Sequence, residues 1–160
     1  MSRSWILPVS VAGLAALGVA ALGGTITDLG PWYYGLRKPA WTPPPVAFPI
    51  VWTVIFALAA VAGVAAWRAA PTPRQSDTVI GLFALNGFLN VFWSLLFFRL
   101  QRPDWALAEL LLLAASIVAM ILYCGRFSRT AALLLVPYLL WVWVAGWLNW
   151  QVVRLNSPFG

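Results

Sequence analysis

The side chains able to do chemistry in this chain are few, and most of them are rings and amides. There is no histidine, one cysteine (Cys124) and four acids in 160 residues. That set cannot build a multi-ligand metal cluster or a Ser-His or Cys-His relay. A single cysteine also precludes an internal disulfide. No carboxylate pair sits at acid–base spacing, and no Gly-rich phosphate loop is present. A haem iron would lack its usual His or Cys axial ligand. What the chain does have is eleven tryptophans, nine phenylalanines and four tyrosines. Any activity would draw on the reactivity of a bound ligand held among aromatic side chains.

The segment PYLLWVWVAGWLNW arranges its rings in two stripes. Pro137, Trp141, Ala145 and Asn149 recur every four residues and share one helix face. Trp143, Trp147 and Trp150 form a second stripe, displaced by two residues, or about 200° around the helix. Asn149 decides which stripe turns inward, because an amide is costly in hydrocarbon. Trp141 then points inward with Ala145 beside it. A large flat residue beside a small one is either ordinary packing or one wall of a slot for a flat ligand. Asn86, Asn90, Trp93 and Phe97 repeat the pattern on another segment, and Trp52 and Phe56 lie one turn apart on a third. The two amides either bond neighbouring helices or line a cavity. Glu109 is expected to reach the interface near a helix N-terminus, where its charge is favoured. The alternative is an intramembrane proton or cation site.

These residues must be positioned by membrane-spanning helices. The chain is 62% hydrophobic and only 9% charged, with a mean hydropathy of +0.87. A soluble domain is typically about a quarter charged, so lipid is the solvent here. A bilayer core needs roughly 20 apolar residues as helix, and helices are the form that leaves no backbone group unpaired in lipid. Five segments qualify, at 5–26, 47–67, 79–98, 105–124 and 131–153. The fold class is therefore all-α, a polytopic bundle of five transmembrane helices in a single domain. The first segment reads as a retained helix rather than a cleaved signal, since its apolar run is too long for a signal core. Short links between the later segments force antiparallel neighbours.

The net charge of +6 comes from ten Lys+Arg against four Asp+Glu. These charges sit singly or in pairs at span ends, which suits headgroups and gives no run to track a nucleic acid. Arg3, Arg68, Arg74, Arg126 and Arg129 fall on one side, and Arg37, Lys38, Arg99, Arg102 and Arg154 on the other. Five against five leaves orientation undecided by the positive-inside rule. Trp5, Trp67, Trp105 and Trp150 lie near span ends and read as an interfacial belt. Ala12, Ala16, Ala20 and Gly24 place small residues along one face of the first helix, a helix-packing or homodimer surface.

Taken together, WYYGLRKPAWTPP, FPIVW, NVFW followed by FF, and PYLLW with Asn149 downstream resemble the TspO/MBR family. These are the tryptophan-rich sensory proteins of bacteria and the translocator protein, or peripheral benzodiazepine receptor, of mitochondria. The resemblance spans residues 32–149 in order and spacing. It implies a five-helix membrane protein, usually a homodimer, in a bacterial membrane in preference to the mitochondrial outer membrane. No cofactor is implied. The implied ligands are porphyrins such as protoporphyrin IX, with sterols and benzodiazepine-site drugs in many members. Some bacterial members resemble light-dependent porphyrin-degrading enzymes; transport of sterols or other small molecules is a further role. Carried over by position, the pocket includes Trp52, Phe56, Asn90, Trp93, Trp141 and Ala145. Trp32, Tyr33 and Trp41 form its lid, and Trp52 and Trp141 match the degradation pair.

Two departures matter. Phe56 stands where many members have a tyrosine, and LNWQVVR has Trp150 where the C-terminal sterol-recognition pattern wants tyrosine. Val118 to Arg126 fits that loose pattern around Tyr123. The loop at 27–46 carries prolines that fix φ, so it is expected to be a stiff cover. Arg37 or Lys38 would meet porphyrin propionates at its mouth.

Overall fold

A computed structural model describes residues 4–159; Arg3, counted above for orientation, lies outside them. Among the described residues the regular structure is entirely helical. Five helices are long and apolar enough to cross a membrane. They are α1 (Ile6–Ile26), α3 (Ala47–Ala69), α4 (Pro73–Ser94, continued by a π-helical segment Leu95–Arg99), α5 (Pro103–Gly125) and α6 (Arg129–Asn156). A short helix α2 (Pro31–Gly35) lies in the first loop.

Helix α4 begins six residues earlier than hydropathy alone predicts, and α5 and α6 two residues earlier. The Thr72 hydroxyl accepts from the Gln75 backbone N–H, and Pro73 occupies the first turn. Both are strong start signals, and they draw the polar run Arg74–Asp77 into α4. Ser128 caps α6 in the same way, accepting from the Ala131 N–H at 3.2 Å. In the loop, the Asp28 carboxylate accepts from the Gly30 N–H at 2.9 Å, and Pro31 then opens α2. The π segment ends at Arg99, and two residues on, Gln101 with a φ of 53° turns the chain sharply into α5.

Side-chain size differs between the two ends of the bundle. Away from the lid, Ala62, Ala66, Val79, Met120, Cys124, Ala131 and Leu135 form a tight core. Four of those seven are alanine or cysteine, which lets backbones approach without a hydrophobic drive between helices. Midway, α5 and α6 meet at Gly146, where an added Cβ would lie 2.8 Å from a methyl of Leu110. Towards the lid the side chains become large and aromatic, among them Tyr33, Phe97 and the flanking Trp32, Phe92, Trp93 and Phe98. Helix α1 packs against α3 and α4 but has no fully buried residue. Trp143 and Trp147 on α6 are 61% and 55% exposed and face the lipid. Arginines stand over tryptophan rings at span ends: Arg68 over Trp5 at 3.5 Å, Arg102 over Trp105 at 4.2 Å and Arg154 over Trp150 at 4.9 Å. Such cation–π pairs suit the headgroup level.

Candidate ligand-binding site

At the lid end the helices enclose a cavity of about 570 Å³, within the range of small-molecule sites. Helix α3 supplies Trp52 and Phe56, whose rings stack with centroids 5.3 Å apart and 26° between planes. Helix α4 supplies Asn90 and Trp93, and α6 supplies Trp141, Val142, Ala145 and Asn149. Phe97 and Phe98 both line the cavity although they are adjacent in sequence. An α-helix would set them about 100° apart; they sit in the wider π segment, where such distortions re-aim side chains. Trp93 stacks on Phe97 at 5.0 Å. The result is a set of flat aromatic walls with few polar atoms.

The buried amides divide between cavity and scaffold. Asn90 donates to the Tyr138 hydroxyl at 3.1 Å, and the Tyr138 ring meets Trp52 edge-on at 5.9 Å. This contact braces the Trp52 wall from behind. Asn86 instead bonds the Ser116 hydroxyl at 3.0 Å, joining α4 to α5. Asn149 is only 2% exposed. In the amide orientation that satisfies both ends, its NH₂ donates to the Pro103 carbonyl at 3.0 Å and its oxygen accepts from the Leu107 N–H at 3.1 Å. The buried Trp141 Nε1 has no partner among the described residues, and its ring packs on Phe48 at 5.8 Å.

Glu109 does not reach the interface. It is 5% exposed, and neither carboxyl oxygen has a hydrogen-bond partner among the described residues. Its position near the start of α5 suggested exposure, but α4 and α6 flank α5 there and the residue's face is covered. A buried polar group left unmatched costs about 1–3 kcal/mol. Glu109→Leu is therefore expected to raise stability by about that amount. A rise in the thermal unfolding midpoint in lipid nanodiscs checks it; a fall would show that the carboxyl is matched in the membrane.

The lid closes one end of the cavity with Tyr33, Lys38 and Pro45. The Lys38 ammonium folds inward, donating to the carbonyls of Tyr33 at 2.7 Å and Leu36 at 3.2 Å, and sits 4.5 Å from the Tyr33 ring centre. Its partial burial holds its pKa below the usual lysine value. Among the described lining residues it is the one cation. Arg37 points away, and its backbone N–H and C=O are both taken by the Asn156 side chain at 2.8 Å. Trp32 packs edge-on against Phe97 at 5.9 Å, outside the lining. Trp41 is 45% exposed and also outside it.

A family model described as the TspO/MBR family matches residues 10–155. The chain belongs to the TspO/MBR family. It is 41% identical over 147 residues to the tryptophan-rich protein TspO of Chlorobaculum tepidum, covering 88% of this chain and 90% of that one. It is 32% identical over 156 residues to the tryptophan-rich sensory protein of Cereibacter sphaeroides, covering 98% and 95%. The bovine translocator protein is 31% identical over 160 residues, covering 98% and 94%. With five helices of membrane-spanning length, this TspO/MBR chain is a multi-pass membrane protein.

Of the residues that sequence reasoning singled out, Tyr33, Lys38, Trp52, Phe56, Asn90, Trp93, Trp141 and Ala145 meet at one cavity; Trp32, Arg37 and Trp41 do not. The small-residue stripe of α1 is divided along its length. Ala20 and Gly24 of α1 line the cavity, with Gly23, while Ala12 and Ala16 are half-buried. Sequence reasoning missed Phe48, Phe98 and Tyr138. Phe48 was visible one turn before Trp52 in FPIVW. Tyr138 follows Pro137 on the apolar run and carries no local sign of its bond to Asn90. No group of three or more His, Cys, Asp or Glu able to hold a metal occurs among the described residues.

Proposed function

We propose that this TspO/MBR protein binds a planar tetrapyrrole of the protoporphyrin type beneath its lid, to sense, sequester or move it within a bacterial membrane. The observation that carries the reading is the juxtaposition of flat indole walls, Trp52, Trp93 and Trp141, with a single cation, Lys38, at the roof. A macrocycle needs apolar faces on both sides and a charge partner for its carboxylates. Titration with protoporphyrin IX tests it directly. Tryptophan fluorescence should be quenched saturably, and absence of quenching at any porphyrin concentration in solution rejects the reading. Haem should bind no better than the metal-free ring, because the lining offers no histidine or cysteine.

Lys38 gives a sharper test. Lys38→Gln should weaken protoporphyrin binding by about tenfold, the scale of one lost charge-assisted hydrogen bond. The dimethyl ester, which has no carboxylate, should bind both proteins equally. The sign of the pH dependence follows from the lowered Lys38 pKa. The ammonium that attracts carboxylates is present at low pH and is lost as pH rises through that lowered value. Affinity for the free acid should therefore decline on the alkaline side sooner than an ordinary lysine would require.

A second reading is favoured by Trp52 and Trp141 both reaching the cavity. An indole beside a photoexcited ring can pass an electron to it, and dioxygen from solution would then serve as the oxidant that takes up the electron and opens the ring, so the protein would act as a light-dependent porphyrin-degrading enzyme. Illumination of the complex separates the two: a defined product formed by the wild type and lost in Trp141→Phe means catalysis. Transport of a sterol or other small molecule is tested by flux into liposomes, with Glu109→Gln as the variant that removes the buried acid.

A further inference from the structure

The Asn156 amide is fully engaged at the last residue of α6. Its oxygen accepts from the Arg37 N–H at 2.8 Å, and its nitrogen donates to the Arg37 carbonyl and to the Val152 carbonyl, each at 2.8 Å. The pair to Arg37 has the form of a strand-pairing contact made by a side chain. It joins positions 119 residues apart in sequence. All three acceptor and donor roles fix which way the amide points. Val152, one turn earlier, belongs to both the cavity lining and the cluster that seats Tyr33. Lys38, the roof cation, is the residue after Arg37 and bonds back to Tyr33 and Leu36.

We propose that Asn156 is the positioning residue of the lid: its amide clamps the Arg37 backbone to the end of α6 and so holds Lys38 over the cavity. The first loop is stiffened by prolines but makes few long-range backbone bonds of its own; its backbone hydrogen bonds are local turns such as Thr42 N–H to Pro39 carbonyl at 3.0 Å. The Asn156 clamp is thus a long-range tie at mid-loop, and releasing it frees the roof without disturbing the helices. Ligand exchange then becomes faster in both directions, a consequence that rests on the tetrapyrrole reading.

Hydrogen exchange of the wild type, Asn156→Asp and Asn156→Leu in lipid nanodiscs, without ligand, tests the clamp. Asn156→Leu removes every bond, and exchange across 31–46, the Arg37 amide above all, should quicken by at least about tenfold. Asn156→Asp keeps an acceptor for the Arg37 N–H and should fall between. Spans should exchange at wild-type rates, which separates a local release from misfolding. Unchanged exchange at Arg37 overturns the proposal. Stopped-flow quenching with protoporphyrin IX adds the second readout. Association and dissociation should both accelerate in Asn156→Leu, while the equilibrium constant moves less. Faster lid exchange with unchanged porphyrin rates overturns the gating role. Faster lid exchange with no porphyrin binding even by the wild type upholds the clamp and rejects the tetrapyrrole reading.

Discussion

Ala145→Phe is expected to abolish porphyrin binding while leaving the bundle folded. Ala145 lines the cavity one helical turn from Trp141, on the same face of α6. Its methyl is the reason a gap exists beside the indole. A benzyl group there projects into the space a flat ligand would fill, and the opposing walls cannot retreat, because Trp52 is braced by Tyr138 and Tyr138 by Asn90. The loss should be at least about a hundredfold, equivalent to about 2.7 kcal/mol. Stability should hold or rise, since filling a cavity adds contacts at no cost in buried polar groups. Trp143→Ala, on the exposed stripe of the same helix, is the matched control and should bind as the wild type does. Quenching titrations and thermal unfolding on the three proteins check both halves. Wild-type affinity in Ala145→Phe would place the ligand elsewhere.

The parts of this site that were legible in the sequence are those fixed by the cost of polar groups in lipid. Asn149 and Asn90 had to turn inward, and helical periodicity then carried Trp141, Ala145 and Trp93 with them. The parts that were not legible depend on backbone geometry or distant partners. Nothing in LLFFR announces a π segment, yet that segment brings Phe97 and Phe98 to the same cavity. The polar run after Thr72 resembles a loop by hydropathy, and only its cap and proline reveal a helix start. Arg37 and Lys38 are indistinguishable by charge. What separates them is a side chain on α6, and Asn156 is 119 residues from Arg37. Glu109 is misplaced by sequence reasoning because nearness to a helix end is not nearness to water when neighbouring helices cover that face. Ala20 and Gly24 share one face with Ala12 and Ala16. The four-residue spacing is the same along the whole stripe, so spacing alone could not say that its C-terminal half lines a cavity.

Asn149→Leu should be among the most damaging single changes in the chain. Its amide bridges the Pro103 carbonyl and the Leu107 N–H, the two groups that an uninterrupted helix would bond to each other. An α6 side chain therefore bonds the first turn of α5, where the helix runs unbroken from Pro103. This pair of bonds couples the two helices, because the buried amide finds both its partners on the neighbouring one. Leucine is close in size, so the change removes polarity rather than volume. It removes both inter-helix bonds and leaves the first turn of α5 to its own backbone bonds. Hydrogen bonds inside membranes contribute about 0.6–2 kcal/mol each, so the expected loss is about 1–3 kcal/mol. Asn149→Asp would be a poorer probe, since it adds a charge. Because Leu110 of α5 and Asn149 both line the cavity, any shift at the start of α5 also reshapes the cavity wall. Porphyrin affinity should fall with stability in this variant, unlike in Ala145→Phe, where the two separate. The Arg102–Asp104 pair (2.8 Å, Nε to Oδ1) still anchors the entry to α5, so faster hydrogen exchange should be confined to the turn at 104–108. Exchange there at the wild-type rate would mean that α5 closes on itself and that Asn149 merely fills space.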